Sequence, residues 1–163
     1  MANRQRWLLK AGAGRPGGIR VVGDEGRKKL LPGVTVHPPV DYYAHLPGFY
    51  ARAGAVLHIT SLLLPASLSQ RHFDVWASGG MLLSDATSGL DIFPQELAKT
   101  ITLDGPEDFP DRYAHLRARP AATEELCHAW RKHIRLAHGS EHRIQRICAL
   151  LGIQSVCYKD KNE

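Results

Sequence analysis

The fold is decided by residues 68–85, whose sequence is LSQRHFDVWASGGMLLSD. Phe73, Trp76 and Ala77 lie on one face at helical spacing, and Ser67 or Ser69 can cap the start of the helix. The glycine pair at 79 and 80 then ends the helix before a short apolar strand. This stretch predicts a helix-to-strand unit with a polar N-terminus.

Polar side chains crowd the first turns of this helix, namely Gln70, Arg71, His72 and Asp74. The first turn of a helix has free backbone N–H groups, and the helix dipole favours negative charge there. The pattern therefore predicts an anion site, and a phosphate group suits it best.

Five short runs predict strands, at residues 19–23, 34–37, 55–59, 81–84 and 99–103. Helical patterns alternate with them at residues 3–11, 41–50 and 94–98 and in the stretch quoted above, and further helices begin at residues 106, 123 and 140. This alternation predicts an α/β fold with an open, mostly parallel, Rossmann-like sheet of about five strands, helices on both faces, and C-terminal helices. We expect a helical segment over 1–14, the main domain over 15–152 and a tail over 153–163.

In open parallel sheets, ligands bind beyond the carboxyl ends of the strands. The residues that end or follow the predicted strands include Asp24, His37, Thr60 and Ser61. The helix residues 70–74 begin at the same edge. We therefore expect all of these side chains near one rim of the sheet.

Composition favours a soluble protein with an anionic ligand. The 21 Lys and Arg outnumber the 16 Asp and Glu, which gives a formal charge of +5 and a pI near 9.3. The basic residues are spread out with no aromatic residues between them, which argues against nucleic acid as a partner. Three cysteines without CxxC spacing, no secretory segment and no apolar run long enough for a bilayer predict a cytoplasmic protein without a membrane span.

Two sequence patterns suggest a cofactor or metal site, but their structural context argues against it. Residues 12–17, GAGRPG, match the dinucleotide-binding pattern, but a helix precedes them and a strand follows, so they indicate a simple connection. His138 and His142 are four residues apart, yet Gly139-Ser140 separates them, and no DxD occurs in the chain. We therefore expect neither a metal nor a cofactor.

The order of these features resembles the C-terminal lobe of GT-B glycosyltransferases, and most closely the group 1 or spore-maturation type. The resemblance covers about residues 15–152. The segments that carry it are Val21-Val22-Gly23-Asp24-Glu25-Gly26, Thr60-Ser61, the stretch from Gln70 to the glycine pair, and Leu90-Asp91-Ile92-Phe93. It implies a metal-independent lobe that binds the nucleotide-diphosphate sugar donor.

The resemblance also implies roles for single residues. Asp74 would accept the ribose hydroxyls, and Arg71 with the amides around Ser69 and Gln70 would hold the diphosphate. Asp24, Thr60, Ser61 and His72 would line the donor site. The family often has a second acid eight positions before the first, where this chain has Ala66.

GT-B enzymes have two lobes, and the acceptor site and general base lie in the N-terminal one. The chain has room for one lobe, so the resemblance implies a glycosyltransferase fragment that is inactive without a partner lobe. The alternative is a non-catalytic α/β module that binds a nucleotide or a protein. At the residue level, Asp74 can instead be an exposed helix acid that pairs with Arg71.

Overall fold

The computed structural model describes residues 2–12, 19–23, 34–60, 63 and 65–153. Its helices are α1 (Ala2–Gly12), α2 (Leu46–Arg52), α3 (Gln70–Ala77), α4 (Gln95–Ile101), α5 (Asp108–Ala118), α6 (Pro120–Ala137) and α7 (Ser140–Leu150), with a 3₁₀ turn at Ser88–Ile92. Its strands are β1 (Arg20–Val22), β2 (Thr35–His37), β3 (Val56–His58), β4 (Leu82–Asp85) and β5 (Thr102–Leu103). The α/β class and the parallel strands are confirmed.

The prediction of one five-stranded sheet is wrong. The described strands form two small parallel sheets, one of β1 and β2 and the other in the order β3-β4-β5. In the second sheet Val56 lies opposite Leu82, and Ser84 lies opposite Thr102. A pattern of apolar runs shows where strands form, but the pairing depends on contacts between distant residues, which the pattern does not contain.

The predicted strand at residues 99–103 is mostly helix. Residues 99–101 continue α4, and only Thr102 and Leu103 pair with β4. The Thr100 hydroxyl donates to the Leu97 carbonyl and the Thr102 hydroxyl to the Ala98 carbonyl, so both threonines bond the helix backbone. Ile101 is buried as the last core residue of the helix rather than as an alternate residue of a strand.

The predicted helix-to-strand unit is confirmed, with Ser69 as the N-cap of α3. At the other end, Gly79 has a φ of +76°, which favours glycine. Its N–H donates to the Trp76 carbonyl and the Gly80 N–H to the Val75 carbonyl, the two hydrogen bonds of a Schellman motif. The glycine pair thus turns the chain directly into β4.

Helices α3 and α6 pack against each other through aromatic side chains. The indole rings of Trp76 and Trp130 are stacked, with centroids 4.0 Å apart and planes 5° apart, and Phe93 meets both rings edge-on. Both indoles are fully buried. By contrast, α7 has no buried residue, and Ile144 and Ile147 on it are more than half exposed. This packing fixes α3 against α6, and the hydrogen bonds of Ser69 with His58 and of His72 with Ser84 place the start of α3 at the carboxyl ends of β3 and β4.

Candidate functional site: the rim at the start of helix α3

The candidate site lies where β3 and β4 end and α3 begins. Strand β3 ends at His58 and leads to Thr60, and β4 ends at Asp85. Since the two strands are parallel, their carboxyl ends share one edge, which is where ligands bind in such sheets. We call these residues and the first turn of α3 the rim.

Asp85 joins the two strand ends. Its Oδ1 accepts hydrogen bonds from the Thr60 backbone N–H at 2.7 Å and from the Thr60 hydroxyl at 2.9 Å. The Ser84 hydroxyl donates to the same oxygen at 3.4 Å. One carboxylate therefore fixes the chain that leaves β3 and holds Thr60 at the rim.

His72 connects this carboxylate to the start of α3. The Ser69 backbone N–H lies 3.2 Å from His72 Nδ1, and His72 Nε2 lies 3.2 Å from Ser84 Oγ. An amide can only donate, so we assign the imidazole proton to Nε2, which leaves the Ser84 hydroxyl free to donate to Asp85. The result is a continuous chain of hydrogen bonds from the N-cap to the end of β4.

The His72 side chain is fully buried. Burial is the main cause that lowers the pKa of this imidazole, and Arg71 lowers it further, while the Ser69 carbonyl, 3.3 Å from Nδ1 and able to accept from the protonated ring, and the Asp85 carboxylate oppose the change. His58 packs beside it, with ring centroids 4.3 Å apart, and His58 Nε2 lies 3.2 Å from Ser69 Oγ. His72 is thus a neutral support inside the rim, and its geometry favours positioning of the rim over contact with a ligand.

A second hydrogen-bonded group lies on the outer face of α3. The Tyr42 hydroxyl donates to Asp74 Oδ2 at 2.8 Å, and Gln70 Nε2 donates to the Tyr42 oxygen at 2.6 Å. The bond to Asp74 is the main cause that raises the pKa of Tyr42. Asp74 therefore already accepts a hydroxyl group one turn from the start of the helix.

Arg71 is exposed in the first turn of α3. Among the residues that the structure describes, no acidic side chain forms an ion pair with it. The alternative of an Arg71–Asp74 pair is therefore wrong, since Asp74 bonds Tyr42 instead. Arg71 thus belongs to the same turn as the first backbone N–H groups of the helix, where an anion is favoured.

The structure brings most of the predicted residues together. Thr60, Ser69 and His72 share one hydrogen-bonded group, Gln70 and Asp74 share the other, and Arg71 lies on the same helical turn. Asp24 and Ser61 lie outside the described residues. His37 ends β2, so it belongs to the other sheet.

Four residues of the two hydrogen-bonded groups were missed from the sequence, namely Tyr42, His58, Ser84 and Asp85. His58 and Asp85 carried a usable signal, because each ends a strand at the edge where ligands bind. Tyr42 carried none, since its bond to Asp74 spans 32 residues.

The described part of the chain contains no cluster of metal ligands. No three His, Cys, Asp or Glu side chains within it lie close enough together to hold a metal ion. The same residues include no helix that is both long and apolar enough to cross a membrane.

Comparison with known proteins supplies the family. No curated protein and no solved structure matches this chain. The profile of one family, described as glycosyl transferase-like, matches residues 4–149, which include both hydrogen-bonded groups of the rim. That range is most of the 163 residues. The chain therefore belongs to the glycosyl transferase-like family.

Proposed function

We propose that the rim binds the nucleotide-diphosphate part of a sugar donor, and that the chain is the donor-binding lobe of a GT-B glycosyltransferase. The observation that carries the proposal is the Asp74 carboxylate, which accepts the Tyr42 hydroxyl at 2.8 Å beside the start of α3. A ribose hydroxyl offers the same donor as a tyrosine hydroxyl. A nucleotide would replace the Tyr42 bond with bonds from its ribose.

The start of α3 suits the diphosphate. The backbone N–H groups of the first turn, the dipole of the helix and the exposed Arg71 all favour negative charge at this place. They can offset the charge of a departing diphosphate without a metal ion, which is the metal-independent scheme of GT-B enzymes. The hydrogen bonds of Asp85 with Thr60 and of His72 with Ser69 hold the first turn of α3 in position.

The proposal assigns no general base to the chain. Transfer needs an acceptor hydroxyl held against the donor and a group that takes its proton. In the proposed scheme a partner lobe supplies both, and the described rim supplies the donor site alone.

Calorimetry with UDP and GDP tests the proposal. Asp74→Asn should weaken nucleotide binding by about 1–3 kcal/mol, because a charged acceptor becomes a neutral amide. Asp111→Asn, an exposed acid of α5, is the matched control and should bind as the wild type does. Equal affinity of the Asp74 variant and the control would remove the ribose role.

The same titrations separate the alternatives. Saturable binding that changes little with salt supports a nucleotide site, whereas affinity that falls steeply with salt indicates a general polyanion surface. A chain that binds neither nucleotide would fit the non-catalytic module that binds a protein.

A further inference from the structure

Helix α7 and its exit carry large apolar side chains that the described part of the chain leaves exposed. None of the residues of α7 is buried. Five aliphatic side chains in this stretch are each more than half exposed, namely Ile144, Ile147, Leu150, Leu151 and Ile153. Single exposed aliphatic residues are ordinary, but a group of five within ten residues marks an interaction surface.

Helical spacing puts most of these side chains on one face. Ile144, Ile147 and Leu151 follow the i, i+3, i+7 pattern of an amphipathic helix. Gln145 and Ala149 fall on the opposite side. We call the side of α7 that carries Ile144, Ile147 and Leu151 the apolar face. The helix is thus amphipathic, although it covers no core within the described residues.

The contact of α7 with α3 lies in its first turn. The guanidinium carbon of Arg143 lies 4.9 Å from the centroid of the Phe73 ring, which is a cation–π contact. The Arg143 backbone N–H also donates to the Gly139 carbonyl at 3.4 Å. The apolar residues begin after this turn, so they lie on the part of the helix that leads away from its attachment.

The surroundings of the apolar face are strongly basic. Residues 131–153 contain five exposed basic side chains, namely Arg131, Lys132, Arg135, Arg143 and Arg146. Glu141 is the only acid in the same stretch, which therefore has a formal charge of +4, out of +5 for the whole chain. Elsewhere in the chain the basic residues are nearly balanced by acids. The net positive charge is thus concentrated where the apolar side chains are exposed.

This combination selects the class of partner. A second copy of the chain would bring the same positive charge against itself, which opposes association. A nucleic acid would use the basic residues but not the aliphatic ones, and α7 has no aromatic side chain to stack on a base. An anionic lipid surface uses both, because its headgroups attract Arg and Lys and its acyl chains accept Ile and Leu. We propose that α7 and the basic turns before it dock the chain on a membrane surface that contains anionic lipids.

In this arrangement α7 lies in the plane of the membrane surface. Ile144 and Ile147 enter the boundary of the acyl chains, and the long side chain of Arg146 extends to the headgroups. The helix does not cross the bilayer, and the described residues contain no helix that could. No residue of the rim belongs to α7, so the membrane surface and the nucleotide site can each fail in an experiment without the other.

Flotation of the full chain with vesicles tests the proposal. The chain should float with vesicles of equal parts phosphatidylcholine and phosphatidylserine and stay behind with phosphatidylcholine alone. Ile147→Gln should lower the partition coefficient about tenfold, because a large aliphatic side chain no longer leaves water. Arg146→Gln should lower it about fivefold, because one attraction to the headgroups is lost. Since α7 buries no residue, both variants should keep the urea midpoint of the wild type.

Two exposed residues on other elements give the matched controls. Ile92 is 57% exposed, against 55% for Ile147, so Ile92→Gln removes an equally exposed side chain. Arg117→Gln removes an exposed arginine of α5. Both controls should float as the wild type does.

The proposal is overturned if the wild type floats with neither vesicle or equally with both, or if Ile147→Gln floats as well as Ile92→Gln. It is also overturned if heparin binds the chain as tightly as the anionic vesicles do and Ile147→Gln leaves both affinities unchanged, which would indicate a general polyanion surface. Sedimentation without vesicles covers the remaining occupant, because a dimer that Ile147→Gln dissociates would assign the apolar face to a second copy instead.

Discussion

The buried His72 side chain makes the stability of the folded chain depend on pH. Burial lowers the pKa of its imidazole below the unfolded value of about 6.5, so the unfolded chain takes up a proton at a higher pH than the folded chain does. The stabilising contribution is therefore complete above about pH 6.5 and is lost as the pH falls through the folded pKa. Among its charged neighbours, Arg71 lowers the pKa of His72 further and Asp85 raises it, and the His58 ring packs against it.

We expect the urea midpoint of the wild type to fall between about pH 7.5 and pH 5.5, and to fall less in His72→Gln. Glutamine keeps one donor and one acceptor but does not titrate. Part of the slope should remain, because burial also lowers the pKa of His138. The exposed His128→Gln is the matched control, and an equal slope in all three proteins would contradict the role of His72.

At the level of residues, the sequence predicted the side chains that lie on one short helix. Ser69, Gln70 and Asp74 could be placed because helical spacing and capping are local properties. Tyr42 could not be assigned, because its partner lies 32 residues away, and although Asp85 could be placed at the end of its strand, its bond to Thr60, 25 residues away, could not be predicted. Through-space hydrogen bonds of this kind leave no periodic signal in a sequence.

At the level of elements, the end of α3 depends on Gly80. A Cβ at this position would lie 2.7 Å from the Tyr50 carbonyl oxygen and 3.0 Å from Val75 Cγ1, so α2 or α3 would have to move. We expect Gly80→Ala to lower the free energy of unfolding by about 1–3 kcal/mol, the usual effect of overpacking. Urea unfolding measures this change.

Gly105→Ala is the matched control for that prediction. A Cβ at Gly105 would have nothing within 4 Å. Alanine there restricts the unfolded chain, so its effect should be neutral or slightly stabilising. Equal urea midpoints for the two variants would contradict the prediction, because they would mean that the backbone near Gly80 can move without lowering the free energy of unfolding.

The strand predicted at residues 99–103 is mostly helix, because so short a pattern does not distinguish a strand from the end of a helix. Thr100, Ile101, Thr102 and Leu103 alternate polar and apolar residues, which favours a strand over so short a range. The same residues form the last turn of α4 and its exit, where both threonine hydroxyls bond the helix carbonyls. A pattern of four residues fits both structures, because Ile101 and Leu103 are buried whether the segment is helix or strand.

At the level of the whole molecule, we expect the 163-residue chain to bind a nucleotide diphosphate and to transfer no sugar. Holding donor and acceptor in attack geometry supplies about 7–11 kcal/mol, and a positioned base supplies about 10²- to 10⁴-fold in rate. The proposed donor site provides neither. Product analysis with purified protein and labelled UDP-glucose or GDP-mannose measures transfer.

Metal-independent transfer to a defined acceptor by the purified chain would contradict this expectation. It would require a base within the chain. His58, half-buried at the rim beside Ser69, would then be the first residue to change.

The stacked pair of Trp76 and Trp130 gives the molecule an optical marker. Two stacked indoles with centroids 4.0 Å apart couple their electronic transitions, and where the in-plane transition dipoles of the two rings are rotated against each other, this coupling gives an exciton signal in circular dichroism. The signal requires one ring from α3 and one from α6, and it vanishes when either helix moves away. Following it during unfolding would therefore report on the contact between α3 and α6, separately from the total helix content.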